Sequence, residues 1–318
     1  MTAPATTDLR RLAGAALGWL SDNRSSFRLG EEALAVDADV NRCWKPVGEL
    51  AQMCVSVRRH TGPGTPAHDT ATDLLRHAWR ETREGALLLD VQRLEPWATY
   101  PLEVYAAFAS AGLRHPAYEE FTARLVRTRG WRGQEMLPNR LLSVLNSERR
   151  TGLPPHEDAA AVLRRTWLGG LPEPWAFERT AGYTLTHVVY HLTDWGHDPG
   201  GVPDDLARYL RTWLPVWTDG CVETQSWDLC GELLAVAASL PGPPDPGPAE
   251  DAWRALALAQ HPSGAITEQG RGPRGEDVPP VFLNCYHSTL VVAFAATLTD
   301  ARRSGTPAGG ATHRGAPA

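Results

Sequence analysis

Apolar residues recur at spacings of three and four along most of this 318-residue chain. That spacing puts them on one face of an α-helix, and the alternation typical of β-strands is rare. Segments rich in proline and glycine separate the periodic stretches, and helix interiors do not accept such segments. The pattern predicts an all-α protein of about a dozen helices, over residues 7–21, 46–60, 67–83, 96–111, 115–128, 136–147, 156–167, 183–195, 203–217, 228–239, 248–260 and 283–299.

Helices of this length with short connections suit an α/α toroid, in which an inner ring of helices packs inside an outer ring. A helical-repeat solenoid fits the same lengths, but the tryptophans fall at irregular intervals and indicate no fixed repeat. We expect a toroid-like helical barrel formed by one domain over residues 1–301, with the Pro/Gly-rich stretch 241–248 as an internal loop. Residues 302–318 are small and polar with no apolar face, which predicts a disordered tail.

Composition limits the partners of the chain. The net charge is −6, and there is no block of basic residues, so we expect no nucleic-acid partner. The longest apolar stretch near the C-terminus, 289–298, has about half of the ~20 residues that a membrane span needs, so no membrane partner is expected. Five widely spaced cysteines do not favour a disulfide framework, and a cytoplasmic location is expected.

Histidines and aspartates are concentrated in the segment 187–198. On a helix, His187, His191 and Asp194 fall within about 60° of one another, so two imidazoles and a carboxylate share one stripe. This set of side chains can bind a transition metal or perform acid–base chemistry. The structural alternative is a buried hydrogen-bonding stripe that includes Tyr183 and Tyr190.

Two further segments carry candidate ligands, one over residues 226–232 and one over residues 284–289, and each opens a helix. Asp228 is well placed as a helix N-cap, which is its structural alternative. On a continuous helix Asp228 and Cys230 would point about 200° apart, so they can share a ligand only if the chain is not yet helical at Asp228. Glu232 lies nearby and is a candidate general base.

The pattern Asp228-x-Cys230, followed later by Tyr286-His287-Ser288, resembles the zinc site of the β-subunit of protein prenyltransferases. Those subunits are α/α toroids in which an Asp, a Cys and a His hold a zinc ion that activates a substrate thiolate. The resemblance implies that Asp228, Cys230 and His287 are zinc ligands.

The chain departs from that family where the prenyl diphosphate is held, because Val222 and Gln225 replace an Arg and a Lys, so a diphosphate substrate is not expected. Lanthionine-forming cyclases are more loosely similar. They are toroids with a zinc held by two Cys and one His, but Tyr286 separates Cys285 from His287 here. The segment 186–196 also resembles an uncharacterised helical domain common in actinobacteria, which implies no activity.

These observations predict a zinc-dependent transferase, cyclase or lyase that acts on a small-molecule or peptide intermediate, in keeping with specialised biosynthesis. Asp228, Cys230 and His287 are the expected metal ligands, and His187, Asp194 and Glu232 the expected catalytic residues. Two alternatives stay open. One is a metal-free cyclase or isomerase that uses His/Asp pairs for acid–base work, and the other is a non-catalytic helical scaffold that binds a partner.

Overall fold

A computed structural model describes residues 6–35, 39–243, 246–270 and 280–305. Within those ranges the chain forms α-helices and short 3-10 turns and no β-strand, which confirms the all-α prediction. The helices are α1 (Leu9–Asp22), α2 (Val40–Arg59), α3 (Pro66–Glu81), α4 (Ala86–Leu94), α5 (Tyr100–Ser110), α6 (Pro116–Leu125), α7 (Arg129–Arg132), α8 (Pro138–Thr151), α9 (Ala159–Leu163), α10 (Arg179–Leu192), α11 (Asp204–Glu223), α12 (Trp227–Ser239), α13 (Pro246–Ala259) and α14 (Tyr286–Arg303).

Helix α3 shows how the periodic pattern forms an amphipathic helix. Thr65 caps its N-terminus by accepting a hydrogen bond from the backbone N–H of His68, and Pro66 follows, a residue favoured in the first turn. The buried residues then recur at spacings of three and four, which is the stripe expected of a helix packed on one side: Ala71, Leu74, Leu75, Ala78 and Trp79.

Helices α12 and α14 differ from α3 because they are buried on nearly all sides. A helix buried in this way lies inside the protein. The two helices pack closely at Gly231, where a Cβ atom would lie 2.9 Å from Cγ1 of Val291. A larger residue at this position of α12 would push the two helices apart.

Six helices contact one another in a closed order. α2 packs on α5, α5 on α8, α8 on α10, α10 on α12, α12 on α14, and α14 returns to α2. Other helices pack on this set from outside, with α1 against α14, α3 against α2 and α11 against α12. This order of contacts is compatible with the expected toroid.

Several helices begin or end at residues other than the predicted ones. α10 ends at Leu192 rather than at 195, because Asp194, Trp195 and Gly196 all have positive φ. α11 continues to Glu223 although Pro215 lies inside it. α4 lies between the predicted helices 67–83 and 96–111 and was not predicted.

The C-terminal helix also extends past the predicted domain end at residue 301, because α14 includes Arg302 and Arg303. The rest of the predicted tail from residue 306 onward lies outside the described residues. Among the described residues, no helix is both long and apolar enough to cross a membrane. No disulfide links the five cysteines, all of which lie in the described ranges and are buried.

Candidate functional site

Three carboxylates surround the imidazole of His287. Glu49 Oε2 lies 3.0 Å from Nδ1 of the ring. On the other side of the ring, Nε2 lies 3.2 Å from Oδ1 of Asp228 and 3.4 Å from Oε1 of Glu232. These four side chains come from three neighbouring helices, α2, α12 and α14, and together they form a carboxylate–histidine cluster.

The local sequence explains why the two carboxylates of α12 meet. Asp228 and Glu232 are four residues apart, so they lie on the same face of the helix. Because α12 is enclosed by other helices, that face points into the protein, and only 5% of Asp228 and 1% of Glu232 is exposed. His287 reaches them from the first turn of α14.

Helix α10 holds the outer oxygens of both carboxylates. The hydroxyl of Tyr183 donates a hydrogen bond of 2.5 Å to Oδ2 of Asp228. The hydroxyl of Thr186 donates to Oε2 of Glu232, and the hydroxyl of Tyr190 donates to the backbone carbonyl of Glu232 at 3.1 Å. Each carboxylate therefore has one oxygen fixed by α10 and the other turned toward Nε2 of His287.

Burial and charge perturb the whole cluster. Burial alone would lower the pKa of His287, but the charge of Glu49 and hydrogen bonds to Glu232 and Glu49 raise the pKa well above its ordinary value. Burial raises the pKa of Asp228 to about 6, and the neighbouring charge of Glu232 adds to the rise, while His287 opposes it. For Glu232 and Glu49, burial is outweighed mainly by interactions with His287, and the pKa of each is lowered.

The cluster therefore holds more negative than positive charge. When the three carboxylates are ionised they face a single imidazolium. Lys45 pairs with Glu49, with Nζ 3.8 Å from Oε1, but the lysine side chain is 48% exposed. Buried charges need compensation by pairing or by a metal, and a cation held between these carboxylates would balance the excess.

Asp228, Glu232 and His287 also form a group that can hold a metal ion, with their nearest ligand atoms all within 4.8 Å of one another. Two of the expected ligands, Asp228 and His287, thus lie together. Glu232, which we expected to be a general base, lies with them as a third donor.

Cys230 is not part of this group, which corrects the expected ligand set. α12 begins at Trp227 with Ser226 as its N-cap, so Asp228 is already helical and is not the cap. Asp228 and Cys230 therefore point in different directions. Cys230 is fully buried, and its thiol pKa is raised by burial and by Cys221 and Asp219, which belong to α11.

Asp194 lies apart from the carboxylate–histidine cluster, which corrects its expected place in the site. Because α10 ends before it, Asp194 does not continue the stripe of His187 and His191. Its two oxygens instead form ion pairs with Arg59 at 2.8 Å and with Arg150 at 3.2 Å. Asp194 joins the end of α10 to α2 and α8.

His187 lies near the carboxylate–histidine cluster but is not one of its four side chains. Burial raises the pKa of Glu232, but the hydrogen bond to His287 and, after it, the charge of His187 help to lower it. The ring centroid of His187 is 6.3 Å from that of His191, whose buried Nδ1 has no hydrogen-bond partner among the described residues. His197 lies close enough to Arg59 for that charge to help lower its pKa, after burial.

Sequence reasoning missed Glu49 and Thr186, and it treated Tyr183 only as part of a structural alternative. Glu49 lies four residues after Lys45, a spacing typical of a solvent-exposed ion pair, so nothing in α2 marked it as a site residue. Thr186 and Tyr183 gave a weak signal, because they share a face of α10 with Tyr190.

The arrangement allows two kinds of chemistry. One nitrogen and two carboxylate oxygens are donors suited to a divalent metal. Without a metal, an imidazole between carboxylates can transfer protons.

Comparison with known proteins gives a family and no closer relative. Neither a curated protein nor a solved structure matches the chain. Residues 13–297 match the family model described as "Domain of unknown function (DUF6895)". That match covers nearly the whole chain and includes the donors Asp228, Glu232 and His287, so the chain belongs to this family.

Proposed function

We propose that Asp228, Glu232 and His287 bind a divalent metal ion, with zinc as the first candidate, and that the chain is a metal-dependent enzyme. The ion would act as a Lewis acid or lower the pKa of a bound thiol or water, which generates a nucleophile near neutral pH. The substrate would be a small-molecule or peptide intermediate, and the reaction a group transfer, a cyclisation or a lyase step.

The distances within the cluster carry this proposal. Zinc binds nitrogen and oxygen ligands at about 2.0–2.2 Å in a tetrahedral arrangement, which places two ligands about 3.3 Å apart. The Nε2 atom of His287 lies 3.2 Å from Asp228 Oδ1 and 3.4 Å from Glu232 Oε1. Two of the three separations between donors are therefore already close to what a tetrahedral ion requires, and the third, between the two carboxylates, is within 4.8 Å.

The surrounding hydrogen bonds support the same conclusion. Metal-binding histidines usually donate their second N–H to a carboxylate, and metal-binding carboxylates are themselves hydrogen bonded. Glu49 lies against Nδ1 of His287, Tyr183 against Asp228 and Thr186 against Glu232. Each of the three donors thus has an outer partner that fixes its orientation.

The number of donors supports catalysis rather than a structural ion. Structural zinc sites have four protein ligands, whereas catalytic sites have three and keep one position for water or substrate. The described residues supply three donors here. With two carboxylates and one imidazole, the site also suits Mn²⁺ or Fe²⁺, so metal identity must be measured.

Metal binding by the purified chain tests the proposal. Protein treated with a chelator and then dialysed is titrated with Zn²⁺, Mn²⁺ and Fe²⁺ in a calorimeter, the iron under anaerobic conditions. We expect one ion per chain in the wild type and at least tenfold weaker binding in Asp228→Asn, Glu232→Gln and His287→Gln. Asp251→Asn is the matched control, because that carboxylate is exposed on α13.

Two outcomes would overturn the proposal. One is the lack of stoichiometric binding of any of these ions by folded wild-type protein. The other is unchanged affinity in all three variants, provided that thermal melting shows them to be folded. Loss of binding in Asp251→Asn alone would place the ion elsewhere.

A metal-free acid–base enzyme is the second candidate function. The pKa values of two side chains favour this function. The charge of Glu49 helps to raise the pKa of His287, and burial raises the pKa of Asp228 to about 6, close to neutral pH. Nitrogen-15 NMR of the histidine rings separates the two functions. The metal site requires that added zinc convert His287 to a neutral ring protonated on Nδ1, whereas an imidazolium unchanged by zinc supports acid–base chemistry.

A further inference from the structure

A cavity lies between α11, α12, α13 and α14, and none of the four side chains of the carboxylate–histidine cluster lines it. Its volume is about 180 Å³. An engineered apolar cavity of about 150 Å³ is large enough to bind benzene. The cavity can therefore accept a small organic molecule.

Most of the cavity wall is apolar. α11 contributes Leu214, α12 contributes Leu234, Ala237 and Ala238, and α13 contributes Trp253. Trp253 is only 1% exposed, so the indole forms part of the packed interior. Such a wall favours a ligand with an apolar body.

The cavity wall also carries positive charge. The lining residues include Arg211, Arg302 and Arg303 and no aspartate or glutamate among the described residues. Two of these guanidinium groups hold nearby backbone. Arg211 donates to the carbonyl of Pro241, and Arg302 donates to the carbonyl of Leu240 at 3.0 Å. Arg303 forms an ion pair with Glu250 at 3.3 Å.

Three buried polar groups of lining residues have no hydrogen-bond partner within the described structure. They are Nε of Arg302, Nε of Arg303 and the hydroxyl of Thr299, a residue that is only 5% exposed. Buried polar groups without partners are uncommon in folded proteins. Two cationic donors and a hydroxyl together are suited to a carboxylate.

We propose that this cavity binds a small carboxylate with an apolar tail. The carboxylate is held by Nε of Arg302, Nε of Arg303 and the hydroxyl of Thr299, and the tail packs against Leu234 and Trp253. This site is independent of the metal proposed above, since its lining shares no residue with the carboxylate–histidine cluster.

Calorimetric titration with hexanoate tests the proposal, with 1-hexanol and hexylammonium as ligands of the same length. We expect hexanoate to bind once per chain and about tenfold more tightly than hexanol, because only the carboxylate engages the arginines. Hexylammonium should not bind. The titration is repeated with Asp228→Asn, which should bind hexanoate like the wild type and so excludes a carboxylate bound to a metal.

Variants of the lining make the test residue-specific. Thr299→Val keeps the shape and removes the hydroxyl, and Arg302→Gln removes one cation. Each should weaken hexanoate at least threefold and leave hexanol unchanged. Ala237→Leu should fill the cavity and abolish both. Arg254→Gln is the matched control, because Arg254 pairs with Asp251 on α13 and does not line the cavity.

Three results would each overturn the proposal. The first is no binding of hexanoate to the folded wild type. The second is binding of hexanol or hexylammonium as tight as that of hexanoate. The third is wild-type hexanoate binding in Thr299→Val, Arg302→Gln and Ala237→Leu alike.

Discussion

Glu49 lies behind His287, with Oε2 3.0 Å from Nδ1, on the side of the imidazole opposite to the two carboxylates of α12. The relationship joins α2 to α14 and fixes the ring. If the proposed metal bound Nε2, the proton of the neutral ring would reside on Nδ1 and would be donated to Glu49. Such an outer carboxylate orients the ligand and makes it more basic.

Substitution of Glu49 should therefore weaken metal binding without removing a ligand. We expect Glu49→Gln to lower zinc affinity about 10–100-fold, the usual effect of losing an outer partner. Competition with a chromophoric chelator measures the affinity. A loss as large as that of His287→Gln would mean that Glu49 is itself a ligand, and an unchanged affinity would contradict the orienting role.

The variant Cys230→Ala distinguishes the proposed metal site of two carboxylates and one imidazole from a metal site that includes a cysteine thiolate. Cys230 is fully buried and lies outside the group of donors. We expect zinc affinity to stay within about twofold of the wild type, while the loss of a core sulfur lowers the free energy of unfolding by about 1 kcal/mol. Urea denaturation measures the stability. Loss of zinc binding in a folded Cys230→Ala protein would restore cysteine to the ligand set.

Asp194→Asn should affect folding and not metal binding. Arg150 is only 5% exposed, and Asp194 is its ion-pair partner at 3.2 Å. Removing one partner of a buried pair leaves a charge uncompensated and costs about 3–5 kcal/mol. Urea denaturation should show a loss near this range, with unchanged zinc affinity in the folded protein. A folded variant of normal stability that has lost zinc would place Asp194 in the site.

Protonation of His191 should destabilise the protein in mild acid. Burial lowers its pKa well below the ordinary value, and the nearby charges of His187, Arg140 and Arg150 add to the effect. The folded state then binds fewer protons than the unfolded state, so stability falls as the pH drops below about 6.5, and the loss is complete at the lower folded-state pKa.

Urea denaturation of the wild type and of His191→Gln between pH 7.5 and pH 5 isolates this contribution. The difference in free energy of unfolding should shift in favour of the variant as the pH decreases. A constant difference would show that His191 takes up its proton equally in both states.

The helical class of the fold was predictable because the periodicity is local. The buried face of α3 is present in the sequence as Ala71, Leu74, Leu75, Ala78 and Trp79. The end of α10 was not predictable from the sequence. Non-glycine residues rarely have positive φ, and Asp194 and Trp195 both do. Interactions with distant arginines hold Asp194 in place, and no local pattern records them.

The site was predictable only in part for a similar reason. Asp228 and Glu232 share a face of one helix, so their spacing carried information. Pairing Asp228 with Cys230 required a non-helical chain at Asp228, and the helix begins two residues too early for that, at Trp227. Glu49 joins the site only through the packing of α2 against α14, a contact between distant parts of the chain.

X-ray absorption spectroscopy at the zinc edge of zinc-loaded protein tests the central claim most directly. Asp228, Glu232 and His287 predict a shell of only nitrogen and oxygen at about 2.0–2.2 Å, with the outer scattering of a single imidazole that disappears in His287→Gln. A sulfur shell at about 2.3 Å, or an imidazole signal that persists in His287→Gln, would contradict the account.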